Sequence, residues 1–262
     1  MDEGSLAFTI AQELRRQGAV LVCVGLGPTP HHRGISPRAG EHLAAAWGSF
    51  ERTIAELGAD VVGLPIDVSL DASVDDVARQ LARNSSTLDG VVHAIALDRT
   101  IRNGTVPPMM DVTRAQFLDC LDVSAYSLLA LIRALLEADV LMRGASVVAL
   151  SYLGAARVPS HPYRNIAIAK AALERLVIEM ADELGRSHAM RVNAVRFSPW
   201  AASRAGGAIP RLAEAMQDAE ERSPLGNARP EDLAIEVAHL LRSELRITGE
   251  IRHVDGGFHA RA

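Results

Sequence analysis

The stretch Leu150–Glu174, LSYLGAARVPSHPYRNIAIAKAALE, decides the fold because it joins the end of a buried strand to the start of a long helix. Residues 145–151 are mostly apolar, as expected for a strand covered on both faces. Tyr152 follows this strand, at the end where open α/β sheets collect their ligands. Tyr163 and Lys170 stand seven residues apart, about two helical turns, so a helix would carry both on one face. We therefore expect a reaction centre made of Tyr152, Tyr163 and Lys170.

These residue types are typical of carbonyl or enolate chemistry. A lysine ammonium beside a phenol favours the phenolate and makes the hydroxyl a better donor to an oxygen that gains negative charge. The alternative is that a tyrosine and a lysine at this spacing are ordinary residues of an amphipathic helix. The spacing alone favours that alternative, whereas the surrounding sequence favours the reaction centre because a buried lysine needs a partner.

SYLGA, a proline-containing loop, Tyr163, Lys170 and AKAALE together resemble the enoyl-acyl carrier protein reductases, a divergent branch of the short-chain dehydrogenase/reductases. The resemblance covers nearly the whole chain. It continues through SLAFTIAQELRRQGA (5–19), IDVSLDASVDDV (66–77), LDGVVHAIA (88–96), VSAYS (123–127), RVNAV (191–195) and ITGEIRHVDGGF (247–258).

Composition limits the possible classes of protein. A chain of 262 residues, 48% hydrophobic, can bury one sizeable core, so we predict a single domain over residues 1–262. A net charge of −5 predicts no nucleic-acid partner. The opening MDEGSLAF lacks the basic stretch followed by an apolar stretch that is typical of a leader. No apolar run reaches the length of a membrane span. We expect a cytoplasmic protein with no membrane partner and with Cys23 and Cys120 reduced.

Apolar runs and helical periodicity alternate along the chain, which indicates an α/β fold with a doubly wound parallel sheet. The resemblance adds a Rossmann-like strand order. Strands are predicted at 19–24, 60–66, 90–96, 145–151, 191–196 and 251–254, and one extended helix at 113–137, bent near Val123.

The first strand of such a fold, with its glycine-rich turn, is not visible in the sequence. Ser5, which matches the start of the family's first helix, stands only four residues after Met1. In the Rossmann order that strand lies between two others, so its loss would leave two apolar edges inside the sheet. Three arrangements would resolve this: a start codon further upstream, direct pairing of the neighbouring strands, or a strand from another chain.

The resemblance also implies the cofactor-binding positions. Asp67 and Val68 match the pair that holds adenine, Ile95 matches a lining position, and Lys170 matches the lysine of the nicotinamide ribose. Further positions are those at the start of the first helix and after the strand at 191–196: Ser5, Leu6, Pro199 and Trp200. Adjacent His31 and His32 lie in a polar loop without ligands at metal spacing, so no metal site is predicted.

The chain departs from the family pattern after two strands. Leu26 stands where the family has a polar residue, and Phe197-Ser198-Pro199-Trp200-Ala201-Ala202 stands where it has Ala-Gly-Pro-Ile-x-Thr. The indole of Trp200 is placed where nicotinamide would lie. Structural alternatives remain open for single residues: Asp67 as a turn residue, Ser5 as a helix cap, Asp98 as a solvated loop charge and Trp200 as a lid over the core.

The resemblance implies an enzyme that reduces a trans-2-enoyl thioester on an acyl carrier protein with NADH, NADPH not being excluded. Tyr163 would donate to the thioester carbonyl, Lys170 would hold the cofactor ribose, and Tyr152 would line the same site. Arg204 and Arg211 are candidate docking charges for the acidic carrier protein, and a homo-oligomer, a tetramer in relatives, is expected. The alternative is a degenerate homologue with impaired cofactor binding, which acts in non-redox acyl-thioester chemistry or as a structural subunit.

Overall fold

The computed structural model describes residues 1–102 and 104–261, except for the side chain of Arg204. The elements, in chain order, are α1 (Leu6–Arg16), β1 (Val22–Leu26), α2 (Pro37–Ala55), β2 (Val62–Ile66), α3 (Asp71–Arg83), β3 (Leu88–His93), α4 (Arg114–Leu121), α5 (Ser127–Glu137), β4 (Leu141–Tyr152), α6 (Arg164–His188), β5 (Arg191–Phe197), α7 (Arg204–Gly207), α8 (Leu212–Arg222), α9 (Pro230–Leu241) and β6 (Ile251–Val254). The predicted α/β alternation and all six strands are confirmed, with boundaries shifted by up to four residues.

The strands form two parallel sheets. β1 pairs with β2 in one, and β3, β4, β5 and β6 follow one another in the other. Within the described residues β1 and β3 are not hydrogen-bonded to each other, and the interruption falls where the Rossmann order places the family's first strand. Direct pairing of the neighbouring strands is therefore not the arrangement adopted. The absence of the first strand itself stays a prediction.

Helices cover both faces of the sheets, as the doubly wound class requires. On one face α3, α5 and α6 share a core with side chains from both sheets, among them Leu64 of β2 and Val147 of β4. On the other face α1 and α9 pack on β4 and β5, with Ile10 and Leu233 in the same cluster. The shared core joins the two sheets by side-chain packing.

The segment predicted as one bent helix is two helices joined by a π-helical turn at Asp122–Tyr126, so the bend at Val123 is confirmed. In this turn Ser124 Oγ accepts from Leu97 N–H at 2.9 Å and donates to Leu97 O at 3.1 Å, which holds the loop after β3 against the helix pair. By length and composition Arg114–Glu137 could cross a membrane, and half of its most apolar window is buried inside the protein.

The polar loop that contains His31 and His32 ends at Ser36, where α2 begins. Ser36 Oγ accepts from Ala39 N–H at 3.3 Å, and Pro37 occupies the first helical position. A serine cap followed by proline is a recognised start signal for a helix.

Candidate functional site

The structure brings the two predicted tyrosines together. Tyr152 is the last residue of β4, and Tyr163 is the N-cap residue of α6. Their ring centroids lie 4.9 Å apart in an edge-on arrangement. Neither phenol hydroxyl forms a hydrogen bond with another described residue, so both are available to a ligand. A donor pair of this kind at the carboxyl end of a parallel sheet suits an oxygen that gains negative charge.

Lys170 is buried two turns into α6 and anchors the helix to two strand ends. Its Nζ donates to Leu150 O at 2.7 Å and to Ile95 O at 3.1 Å. Burial lowers the pKa of the ammonium to about 8. Two of its three N–H groups have acceptors among the described residues, and the third is available to a ligand.

The expectation that Lys170 lowers the pKa of a phenol is wrong. Burial raises the pKa of Tyr163 above its usual value, and burial together with Tyr163 raises that of Tyr152. The Lys170 ammonium is directed to two backbone carbonyls, and desolvation of the phenols dominates. Both tyrosines are therefore neutral hydroxyl donors at neutral pH.

A network of charged groups lies one helical turn beyond Lys170. Glu174 of α6 accepts from Arg196 of β5 through both oxygens, at 2.7 Å and 2.6 Å, and from Ser151 Oγ at 2.6 Å. Arg196 continues to His253 Nε2 of β6 at 3.1 Å. Since Ser151 directly precedes Tyr152, this network fixes the strand residue next to the tyrosine pair. Sequence reasoning missed it because its members lie in separate elements.

Arg164, the residue after Tyr163, ties the loop after β3 to the start of α6. Its guanidinium donates to Val106 O at 3.0 Å and also to Pro107 O. Arg164 has a φ of 25°, a conformation that non-glycine residues adopt rarely and at an energetic cost. Ile101 of the same loop and Tyr163 both pack against the cluster formed by Cys120, Ile166 and Ala169. This loop forms one wall of the site, and Asp98 within it is buried, not a solvated charge.

Asp67, a predicted adenine-binding residue, is engaged by its own loop and by a histidine that the sequence did not implicate. Oδ1 accepts from Ser69 N–H at 3.0 Å and from Ser69 Oγ at 2.6 Å, so the turn role is present. Oδ2 lies 3.0 Å from His32 Nε2. His32 Nδ1 accepts from Thr29 N–H, so Nε2 carries the proton and donates to Asp67. The Val68 N–H has no acceptor among the described residues.

Ser5 caps α1, as the structural alternative predicted. Its hydroxyl accepts from Phe8 N–H at 3.3 Å and donates to Asp2 O at 2.6 Å. The N–H groups of Leu6 and Ala7 have no acceptor within the described chain. Free first-turn amides at a helix N-terminus favour an anion such as a diphosphate.

The segment after β5 closes against this N-terminus. Trp200 Nε1 donates to Gly4 O at 2.8 Å, and its indole packs on the core cluster under α1 and α9, in the lid position that the structural alternative predicted. Ser198 Oγ accepts from Ala228 N–H at 3.2 Å, and Pro199 O accepts from Asn227 at 3.2 Å. The substituted residues therefore fix the backbone of this segment.

The unused polar groups fit a dinucleotide by their chemistry. Free amides at the start of α1 suit a diphosphate, the Val68 N–H beside the Asp67 carboxylate suits an adenine edge, and the third N–H of Lys170 suits a ribose hydroxyl. These groups belong to the carboxyl side of the sheets, where doubly wound folds bind nucleotides.

Comparisons with known proteins agree with this arrangement. Residues 1–259 match the profile of a family described as enoyl-(acyl carrier protein) reductase. The NADH-dependent enoyl-acyl carrier protein reductase FabI of Bacillus cereus is 31% identical over 98% of this chain and 93% of that protein. Escherichia coli FabI is 33% identical over 97% of this chain and 89% of that protein.

Solved structures give the same result. The FabI–NADH complex of Alistipes finegoldii matches with a TM-score of 0.85 at 25% identity, covering 100% of this chain and 86% of that one. The Bacillus cereus reductase with NADP+ and an indole naphthyridinone matches with a TM-score of 0.82 at 28% identity, covering 100% of this chain and 94% of that one.

The Glu174–Arg196 pair can be tested by a double-mutant cycle. Arg196→Met leaves a buried carboxylate without its cation and should lower the free energy of unfolding by about 3–5 kcal/mol. Glu174→Leu should be destabilising for the same reason, whereas the double variant should recover most of the loss. Urea denaturation of the four proteins measures the cycle. Losses that simply add would show that the two side chains do not interact.

Proposed function

Because the chain belongs to the enoyl-(acyl carrier protein) reductase family, we propose that it reduces a trans-2-enoyl thioester on an acyl carrier protein with NADH. The observation that carries the proposal is the Tyr152–Tyr163 pair at the carboxyl end of β4, beside Lys170, in a chain that matches the family over residues 1–259. The enzyme acts in the synthesis of acyl chains and lies in the cytoplasm.

The tyrosine pair stabilises the charge that develops during reduction. Bound NADH supplies the hydride that adds to the β-carbon of the enoyl group. The Tyr163 O–H donates a hydrogen bond to the thioester oxygen, which becomes an enolate oxygen, and Tyr152 lines the same position. Because burial keeps both phenols neutral, their O–H groups are in place before the charge appears. Water then supplies a proton to the α-carbon of the enolate, which gives the saturated acyl thioester.

The cofactor is held by groups that the fold leaves unused. At the start of α1, the backbone N–H of Leu6, the residue after the Ser5 cap, donates to the diphosphate. Asp67 and Val68 receive adenine, and Lys170 donates its remaining N–H to the nicotinamide ribose while its other two hold Ile95 O and Leu150 O. The last two predicted cofactor-binding residues, Pro199 and Trp200, line the nicotinamide end from the segment after β5.

Acyl carrier protein and further copies of this chain are the proposed partners. Of the two candidate docking charges, Arg211 lies on the surface and pairs with Glu214 at 3.0 Å, and the Arg204 side chain lies outside the described residues. Exposed apolar side chains on α4 and α6, namely Leu118, Ile168 and Ile178, support assembly through these helices. The assembly is a homotetramer. A net charge of −5 does not favour nucleic acid as a partner, and no membrane partner is proposed.

The alternative, a degenerate homologue without hydride transfer, is favoured in the sequence by the missing first strand and by the replacements at Ser198 and Trp200. In the structure these residues fix a segment beside α1 and leave the amides of Leu6 and Ala7 open. The family match over nearly the whole chain does not favour the alternative.

Removal of the Tyr163 hydroxyl should slow catalysis. Tyr163→Phe should lower kcat on a crotonyl thioester by on the order of 10²–10³-fold, because one donor to the developing oxyanion is lost. The measurement is the decrease in absorbance of the reduced cofactor. Tyr126→Phe is the matched control, since that phenol is exposed and paired with Arg133, and it should leave kcat unchanged. Equal rates for Tyr163→Phe and wild type would contradict the assigned role.

Lys170 should make cofactor binding depend on pH. Its pKa is about 8, so the ammonium is charged below this pH and neutral above it. The Kd for NADH, measured by calorimetry, should rise as pH increases through this value because the cationic donor is lost. Lys170→Met should bind NADH weakly at every pH and lose the dependence. A wild-type Kd that is constant across this range would exclude Lys170 as the titrating group.

The oligomer should depend on α6. Wild-type protein at micromolar concentration should sediment as a tetramer. Replacing Ile168 and Ile178 together by glutamate places charges on the exposed apolar stripe and should shift the distribution to smaller species. A wild-type monomer, or an unchanged tetramer in the double variant, would argue against assembly through this helix.

A further inference from the structure

His161 is a third ring in the tyrosine pair. It lies two residues before Tyr163 and is only 2% exposed. Its ring centroid is 5.5 Å from that of Tyr152 and 5.5 Å from that of Tyr163, so it contacts both phenols. The three rings form one aromatic cluster, and the proposed mechanism uses only two of them.

The imidazole of His161 has polar groups that the protein does not use. Both ring nitrogens, Nδ1 and Nε2, are buried and have no hydrogen-bond partner among the described residues. Burial and the positive charge of Arg211 lower the pKa of His161 to about 4, so the ring is neutral at neutral pH. A neutral imidazole has one N–H donor and one lone-pair acceptor. Buried polar groups are normally satisfied, and an unsatisfied pair next to a reaction centre suggests a ligand.

We propose that His161 is a further catalytic residue, whose ring N–H donates to the thioester oxygen together with the Tyr163 hydroxyl. This rests on the proposed function, since it assigns a second donor to the same oxyanion. Two neutral donors fixed in a buried setting stabilise a developing negative charge without reorganisation. His161 does not deliver a proton, and its contribution is a hydrogen bond that strengthens as the charge forms.

The matched variants His161→Phe and His161→Gln separate donation from packing. Phenylalanine keeps a planar ring between the tyrosines but has no N–H, whereas glutamine has an N–H donor but no ring. If His161 donates, His161→Phe should lower kcat on a crotonyl thioester by on the order of 10²–10³-fold with little change in the Kd for NADH, and His161→Gln should retain more activity than His161→Phe. If the ring only fills space, His161→Phe should keep wild-type kcat, and that result overturns the proposal.

A second measurement tests the donor independently of turnover. Protein with nitrogen-15 in its histidines is titrated with butyryl pantetheine thioester in the presence of NAD+, and the ring N–H signal assigned through its loss in His161→Phe is followed by NMR. A downfield shift of that signal on titration supports donation by His161, whether or not the wild type reduces an enoyl thioester. If the shift is seen and no reduction is measured, the proposed function alone is rejected. An unshifted signal overturns the role of His161, whether or not wild-type turnover is observed.

Discussion

The position of the reaction centre depends on the Lys170 ammonium and the two carbonyls that it binds. Leu150 O belongs to β4 and Ile95 O to the residues that follow β3, so one side chain of α6 ties the helix to neighbouring strand ends. Burying an ammonium costs less when its N–H groups have acceptors, and here the carbonyl ends of the strands supply two of them. Tyr163, at the N-terminus of α6, is thereby placed against Tyr152 at the end of β4.

The Glu174–Arg196 pair reinforces this arrangement one turn further along α6. It connects the helix with β5 and, through Ser151, with the residue before Tyr152. Buried ion pairs contribute little net stability but penalise any arrangement that separates the partners. The pair therefore gives specificity to the packing of α6. Lys170 and Glu174 together orient the helix that presents Tyr163, so the tyrosine pair is positioned without hydrogen bonds of its own.

Most of the fold could be predicted from the sequence because continuous apolar runs identify the strands of a buried parallel sheet. The tyrosine pair was also predictable, since a strand end and a helix start are adjacent in that fold. What could not be predicted depends on contacts between distant residues. His32 reaches Asp67 from a loop 35 positions earlier, and the pattern around it indicates only a polar loop. The pKa of Tyr163 was misjudged because the direction of the Lys170 side chain decides which group its charge affects.

The most direct test of the central claim is the transfer of a labelled hydride. Purified protein is incubated with crotonyl thioester and NADH that carries deuterium at the transferable position of the nicotinamide, and the acyl product is analysed by mass spectrometry. The proposed reduction predicts a butyryl thioester with one deuterium at the β-carbon and matching amounts of NAD+. Unchanged crotonyl thioester at saturating cofactor, or a butyryl product without deuterium at that carbon, would contradict it.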